Sequence, residues 1–225
     1  MTDSMTLDDV LEILEDRGAT YAFLSTVYGV EASAELLTQM REQVVDEPQP
    51  EDEGTGYELL RQFLQAIGDD KLASWVTELA ADYAALFLAV GRKPVPPYES
   101  VYTSADRLLM QRARDEVLAE YRKEGLGPKE GFREPEDHIA MEMEFMGYLC
   151  QKALESLDSE GAEAARASLQ KQKDFLDKHL LVWVPEFCKD VRKTARTDFY
   201  KAIAQITEEH LSYEGDAIAE LMNSI

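Results

Sequence analysis

The sequence predicts an all-α protein, a single bundle-like domain of roughly eight to ten helices over residues 1–225. Three observations predict it. Apolar residues recur at three- and four-residue spacing along most of the chain, no stretch alternates in the manner of a half-buried strand, and no repeat of fixed period marks a solenoid. With 225 residues the chain is also long enough to bury a substantial core.

The elements follow in order. Leu7, Val10, Leu11, Leu14, Tyr21, Leu24 and Tyr28 lie on one helical stripe, opened by Thr6 and Asp9 in the form of a capping box. Gly18 is the weak point, where a break would give two shorter pieces. A second helix fits Ser33 to Val45, with Ser33 as cap and Leu36, Leu37, Met40 and Val44 facing inward. Residues 46–56 then mix acids with Pro48 and Pro50, which neither bury apolar area nor sustain a helix, so they are expected to form an acidic linker.

Helical spacing resumes with Leu59, Leu60, Phe63, Leu64 and Ile67, and again from Leu72 through Val90, with Gly91 as the C-terminal cap. Pro94, Pro96 and Pro97 hold the segment from Arg92 to Tyr102 extended or turned. Helices are expected over Ser104 to Glu124 and over Glu136 to Leu157, the latter entered through Pro135. A stripe at Ala165, Leu169, Gln172 and Leu176 follows, then one from Phe187 to Ile206 after Pro185, and a short last helix near Asp216 to Met222.

Forty-five acidic against twenty-three basic side chains give a formal net charge of −22, which repels phosphate backbones and anionic headgroups. Nucleic acid and membrane insertion are excluded as expectations, and a basic partner is favoured, with charge steering encounter rather than supplying affinity. The N-terminus reads Met1-Thr2-Asp3-Ser4-Met5, without the basic start and apolar run of a signal peptide, so the expected location is cytoplasmic. Cys150 and Cys188 stand apart, without C-x-x-C spacing, and read as buried small hydrophobes.

Motifs of catalysis are missing from the pattern. None of His138, His179 or His210 follows a glutamate by three residues, as a di-iron bundle requires. His138 and Glu142 share a helical face, but two ligands do not close a metal site, and a surface or N-terminal polar pair is the commoner meaning. Gly54-Thr55-Gly56 and the glycines near 125–131 match neither dinucleotide nor Walker patterns. No G-x-S-x-G elbow is present, so no enzyme, metal or cofactor is expected.

Two loops gather polar and aromatic groups beside prolines. One is Pro96-Pro97-Tyr98-Glu99-Ser100, the other Pro135-Glu136-Asp137-His138. Composition alone favours a rigid interhelical turn with tyrosines packed inward for the first, and plain helix capping for the second.

At these residues the chain resembles the chaperones of the TorD/DmsD/NarJ kind, which mature molybdenum-cofactor oxidoreductases. Three segments carry the resemblance: Tyr83-Ala84-Ala85-Leu86-Phe87-Leu88 followed by Pro96-Pro97-Tyr98-Glu99-Ser100-Val101-Tyr102; Glu134-Pro135-Glu136-Asp137-His138-Ile139 leading to Glu142; and His179-Leu180 to Trp183-Val184-Pro185-Glu186-Phe187. Where several members carry tryptophan after the paired prolines, this chain has Tyr98.

The resemblance implies an all-helical, non-enzymatic chaperone that binds the twin-arginine signal peptide and the apoenzyme of a molybdopterin oxidoreductase, aiding cofactor insertion before export. It implies peptide contact by Tyr83, Leu86, Phe87, Pro97, Tyr98, Asp137 and His138, with Glu99 and Ser100 adjacent. In that reading Tyr83, Leu86, Phe87 and Tyr98 line an apolar groove, while Asp137 and Glu99 form an anionic lip for arginine forks. The alternative is a helical adaptor that grips the folded body of a partner. A long polar hinge also permits helix exchange between subunits, and so a homodimer.

Overall fold

In the computed structural model, which describes residues 5–45, 54–90, 93–127 and 134–225, the chain is all-α. Its first helix, α1 (Leu7–Gly29), starts as its capping residues require. Thr6 Oγ1 accepts the Asp9 N–H at 3.2 Å, and the Asp9 carboxylate accepts the Thr6 N–H at 2.7 Å. α1 runs unbroken through Gly18, which lies against Cys150. Ser33 caps α2 (Ala34–Met40) by accepting the Leu36 N–H, and a π-helical turn carries the chain on to Val45. Most of the expected acidic linker, residues 46–53, lies outside the described residues.

Thr55 caps α3 (Gly56–Ala66), and α4 spans Leu72–Phe87. The expected cap Gly91 lies outside the described residues, and α4 ends earlier than expected. Ala89 turns left-handed at φ 56°, and the Val90 N–H donates back to the Ala84 carbonyl. The second correction falls after the prolines. Glu99–Thr103 is a short helix, α5, and residues 104–111 are turns, so the helix expected from Ser104 begins only with α6 (Arg112–Lys123). Ser104 Oγ accepts the Leu108 N–H at 3.1 Å, the local bonding by which serine competes with helix.

The third correction concerns α7 (Ile139–Ser159), expected from Glu136. Residues 136–137 form a turn and His138 is the N-cap, its Nδ1 accepting the Ala140 N–H at 3.1 Å. α8 (Ala162–Phe175) passes through a π turn, Leu176–Leu180, into α9 (Leu181–Thr194). Pro185 lies inside α9 rather than ahead of it; one lost N–H is outweighed by the burial of Trp183, Val184, Phe187 and Cys188 around it. The last helix, α10 (Asp198–Ser224), is one continuous element where the sequence pattern had separated two.

The chain divides into two compact units, interleaved along its length. The first comprises Met1–Gly29, Tyr98–Trp183 and Leu211–Ile225. Here α1 packs along α7, and α7 along α8. Beneath them lies a buried polar network. Arg17 donates to both carboxylate oxygens of Glu214 at 2.8 Å and to Gln172, and Tyr21 donates to Glu214 at 2.6 Å. Burial lowers the guanidinium's affinity for its proton, yet the Glu214 hydrogen bonds and charge reverse this and hold it above its ordinary range.

The second unit comprises Val30–Pro97 and Val184–His210. Its interior is aromatic. Phe63 meets Trp75 and Phe199, and Tyr83, Phe87, Phe187 and Tyr200 pack ring against ring at 5.2 to 6.1 Å. Asp82 accepts the N–H groups of Arg196 and Thr197, satisfying the start of α10. Gly56 sits where a Cβ would come within 2.6 Å of the Ile206 backbone, so only glycine admits this approach of α3 to α10.

Candidate functional site

The site is built in the first unit, where the two proline-flanked loops run side by side. Tyr98 and His138 form an antiparallel β-bridge, and the Glu99 N–H donates to the Asp137 carbonyl at 3.0 Å. Asp137 Oδ2 accepts the Ser100 N–H at 2.8 Å and the Ser100 hydroxyl, while the Gln111 N–H donates to that same hydroxyl oxygen at 3.2 Å. Thus one carboxylate oxygen gathers the start of α5 and the turn before α6. The Tyr98 and His138 rings meet edge to face at 5.1 Å, and the Tyr98 hydroxyl donates to Glu134 at 2.5 Å. Arg114 locks the far side through a two-pronged pair with Glu136 at 2.5 and 2.8 Å.

The carboxylates expected to form a solvent-facing lip point inward. Asp137 is 0% exposed and Glu99 3%. Burial pushes the Asp137 carboxyl upward against the lowering effect of the Ser100 bonds, and its Oδ1 has no partner outside its own residue. His138 is buried, which drives its imidazole down to about 4; the neutral ring is the form that can accept the Ala140 N–H. The acidic groups at the outer edge are instead Glu134, which is exposed, and Glu136, which is half-buried. Glu134 stood in the sequence motif but was not singled out.

Deeper in, residues of the third motif complete the cluster. His179 Nδ1 lies 3.0 Å from Glu99 Oε2, and Trp183 Nε1 donates to Glu142 Oε2 at 3.0 Å. The other oxygen of Glu142, Oε1, is buried without a hydrogen-bond partner. Its carboxyl is held well above the ordinary range, first by burial, then by the neighbouring charge of Glu99. Of the two readings of His138 and Glu142, the N-terminal one holds, since His138 caps α7 and Glu142 lies in its first turn, and the surface one does not, since both are buried. The signal for His179 and Trp183 was their place in the third motif; no spacing rule could pair them with Glu99 and Glu142, which lie 80 and 41 residues away in sequence.

An apolar cleft of about 290 Å³ opens between Tyr121, whose hydroxyl donates to the Glu136 carbonyl at 3.1 Å, and Met141, Phe145 and Tyr148, with the exposed Glu144 among its lining residues. Tyr83, Leu86, Phe87 and Pro97 belong to the second unit, where they are buried; the three α4 residues are only 5%, 1% and 6% exposed. There the Val95 N–H donates to the Leu86 carbonyl at 2.7 Å, tying the proline segment to the end of α4. Among the described residues no group of three or more His, Cys, Asp or Glu is placed to hold a metal ion, and no helix is long and apolar enough to cross a membrane.

Residues of all three motifs, Glu99 and Ser100, Asp137 and Glu142, and His179 and Trp183, are buried together in the first unit. A family model described as nitrate reductase delta subunit matches residues 46–189, and the chain belongs to that family. Among individual proteins it is 37% identical over 122 residues to the chaperone protein TorD of Photobacterium profundum, covering 54% of each chain. It is 30% identical to the TorD chaperone of Shewanella loihica, over 71% of this chain and 70% of that one. To the TorD chaperone of a Psychrobacter species it is 26% identical, over 91% of this chain and 92% of that one. The match thus spans about half the length of the Photobacterium relative. These relatives are named as chaperones, not as enzymes.

Proposed function

We propose that this chain is a system-specific chaperone of a molybdenum-cofactor oxidoreductase, which it meets in the cytoplasm by binding the twin-arginine signal peptide and the apoenzyme, so that cofactor insertion precedes export. The observation that carries this reading is the joining of the two motif loops, through the Tyr98–His138 bridge and the Asp137–Ser100 bonds, with the second loop tied to the cleft residue Tyr121 through the Glu136 carbonyl. A leader with a basic start and an apolar stretch matches that combination in chemistry.

In this reading Tyr98 and Glu134 present the accessible edge, and the arginine fork takes Glu134 first. The unpartnered Oδ1 of Asp137 is the inner acceptor, because a buried carboxylate short of one hydrogen bond gains most from a guanidinium. Glu99, Ser100 and His138 hold the loops in register for it. Met141, Phe145 and Tyr148 seat the apolar stretch. Tyr83, Leu86, Phe87 and Pro97, buried in the second unit, keep their assignment to leader contact from the resemblance alone.

Calorimetry tests this with the twin-arginine leader peptide of a molybdopterin oxidoreductase. Asp137→Ala with Tyr98→Ala should abolish measurable binding, and replacing the leader's arginine pair by lysines should weaken it, since lysine cannot make the two-pronged contact. Equal affinity of the wild type and the double variant would reject the site. Full retention of a client lacking its leader in a pull-down would favour the adaptor reading.

A further inference from the structure

One buried imidazole stands between the Asp137 acceptor and the apolar cleft. His179 belongs to the π turn Leu176–Leu180, which joins α8 to α9. Its Nδ1 lies 3.0 Å from Glu99 Oε2, and both side chains are buried. Its ring meets Phe175 at 4.8 Å between centroids, and Phe175 in turn meets Phe145 at 4.8 Å and Tyr121 at 6.3 Å, two residues that line the cleft. The Glu99 backbone N–H donates to the Asp137 carbonyl, and the next N–H, that of Ser100, donates to Asp137 Oδ2. One side chain thus connects the residue that holds the Asp137 loop with the rings that back the cleft.

The π turn serves this connection. In an α-helix of about 3.6 residues per turn, steps of four drift around the axis. Phe175, His179 and Trp183 recur in steps of four, and the wider turn between them takes up drift, so that they reach Phe145, Glu99 and Glu142 respectively. We propose that His179 is a positioning residue of the site: its Nδ1–H donates to Glu99, pins the first residue of α5, and so holds Asp137 in register with the cleft. It touches no ligand itself. Its effect on leader recognition rests on the proposed leader site, whereas the pinning of Asp137 does not.

A pair that only packed the interior would differ from this in what a substitution moves. Loss of packing loosens the unit throughout, α1 included. Loss of positioning loosens first the amides that Asp137 holds, and it changes how the leader's arginines are read rather than how its apolar stretch is seated. His179→Leu removes the donor and keeps apolar bulk beside Phe175. His179→Asn keeps a side-chain donor near the place of Nδ1. Glu99→Met combined with His179→Leu exchanges the whole pair for apolar side chains, which in buried pairs is often neutral for stability.

The test is hydrogen exchange of the full chain, wild type and variants, with calorimetry against a twin-arginine leader peptide and its twin-lysine form. In His179→Leu the Glu99 and Ser100 amides should exchange up to about tenfold faster, the factor one hydrogen bond contributes, while α1 keeps its wild-type rates. That variant should lose most of the preference for arginine over lysine, and His179→Asn should keep it. Equal acceleration in α1 and at Glu99, or an unchanged arginine preference in His179→Leu, would overturn the proposal. If His179→Leu does not fold, the Glu99→Met and His179→Leu double variant is read in its place and should fold without the preference; a full preference there overturns it too. Nitrogen NMR of the wild type decides where no variant folds: the His179 imidazole signal should shift on saturation with leader, and an unmoved signal refutes positioning. A wild type that binds no leader, with Glu99 and Ser100 alone loosened in His179→Leu, would reject the leader reading and leave the pinning of Asp137 standing.

Discussion

Around Arg17, Asp137, Glu142 and His179 the first unit buries ionisable groups, whereas the second unit buries Phe63, Phe87, Phe199 and Tyr200 ring against ring and uses Asp82 to satisfy backbone N–H groups. The difference teaches where specificity and where bulk stability reside. A ring packed among rings loses little when a neighbour shifts, and its contribution is blind to pH. A buried charge is strongly favourable in one arrangement and costly in any other. The unit with the motif loops is the one built in this second way.

The sharpest break of the comparison is at Arg17. Arg17→Ala leaves Glu214 buried without its cation and should cost about 3 to 5 kcal/mol in urea unfolding. Replacing Arg17 and Glu214 together by Met and Leu should recover most of that loss. In the second unit Phe87→Ala should cost a similar amount, about 3 to 5 kcal/mol, from transfer and cavity effects, but with no dependence on pH. A pH-dependent loss there would show that the units are not chemically distinct.

Titration of His138 sharpens the comparison at acid pH. Its imidazole falls from 6.5 to about 4 in the folded state. A depressed base contributes stability above its unfolded value and loses it as pH falls from 6.5 towards 4, here up to about 3 kcal/mol. His138→Asn, which keeps a capping acceptor but does not titrate, should remove that acid slope, and hydrogen exchange should place the loss in amides of α7. The smallest effect belongs to the surface: Arg112→Ala breaks an exposed pair with Glu116 and should change stability by under about 0.5 kcal/mol.

The motif loops illustrate how far the sequence reaches. Gly125 marked the end of α6, and the family resemblance, rather than composition, grouped Tyr98, Glu99, Asp137 and His138. Their inward orientation was not legible. A carboxylate at a helix entrance looks the same whether it meets solvent or Ser100, and only the β-bridge of Tyr98 with His138 turns Asp137 inside. Pro185 misled for a related reason: local cost argues for a helix start, and burial of its neighbours outweighs that cost.

By itself the sequence determined the helical class, the caps at Thr6 and Ser33, and the segments that carry the family likeness, because periodicity and capping act within a few residues. The tertiary structure alone decided that Glu99 meets His179, that Trp183 meets Glu142, that Arg17 meets Glu214, and that the chain sorts into two interleaved units. Those pairings join residues up to 197 positions apart, and contacts of that range are chosen by which buried polar groups can satisfy one another, a property of the packed chain rather than of any segment.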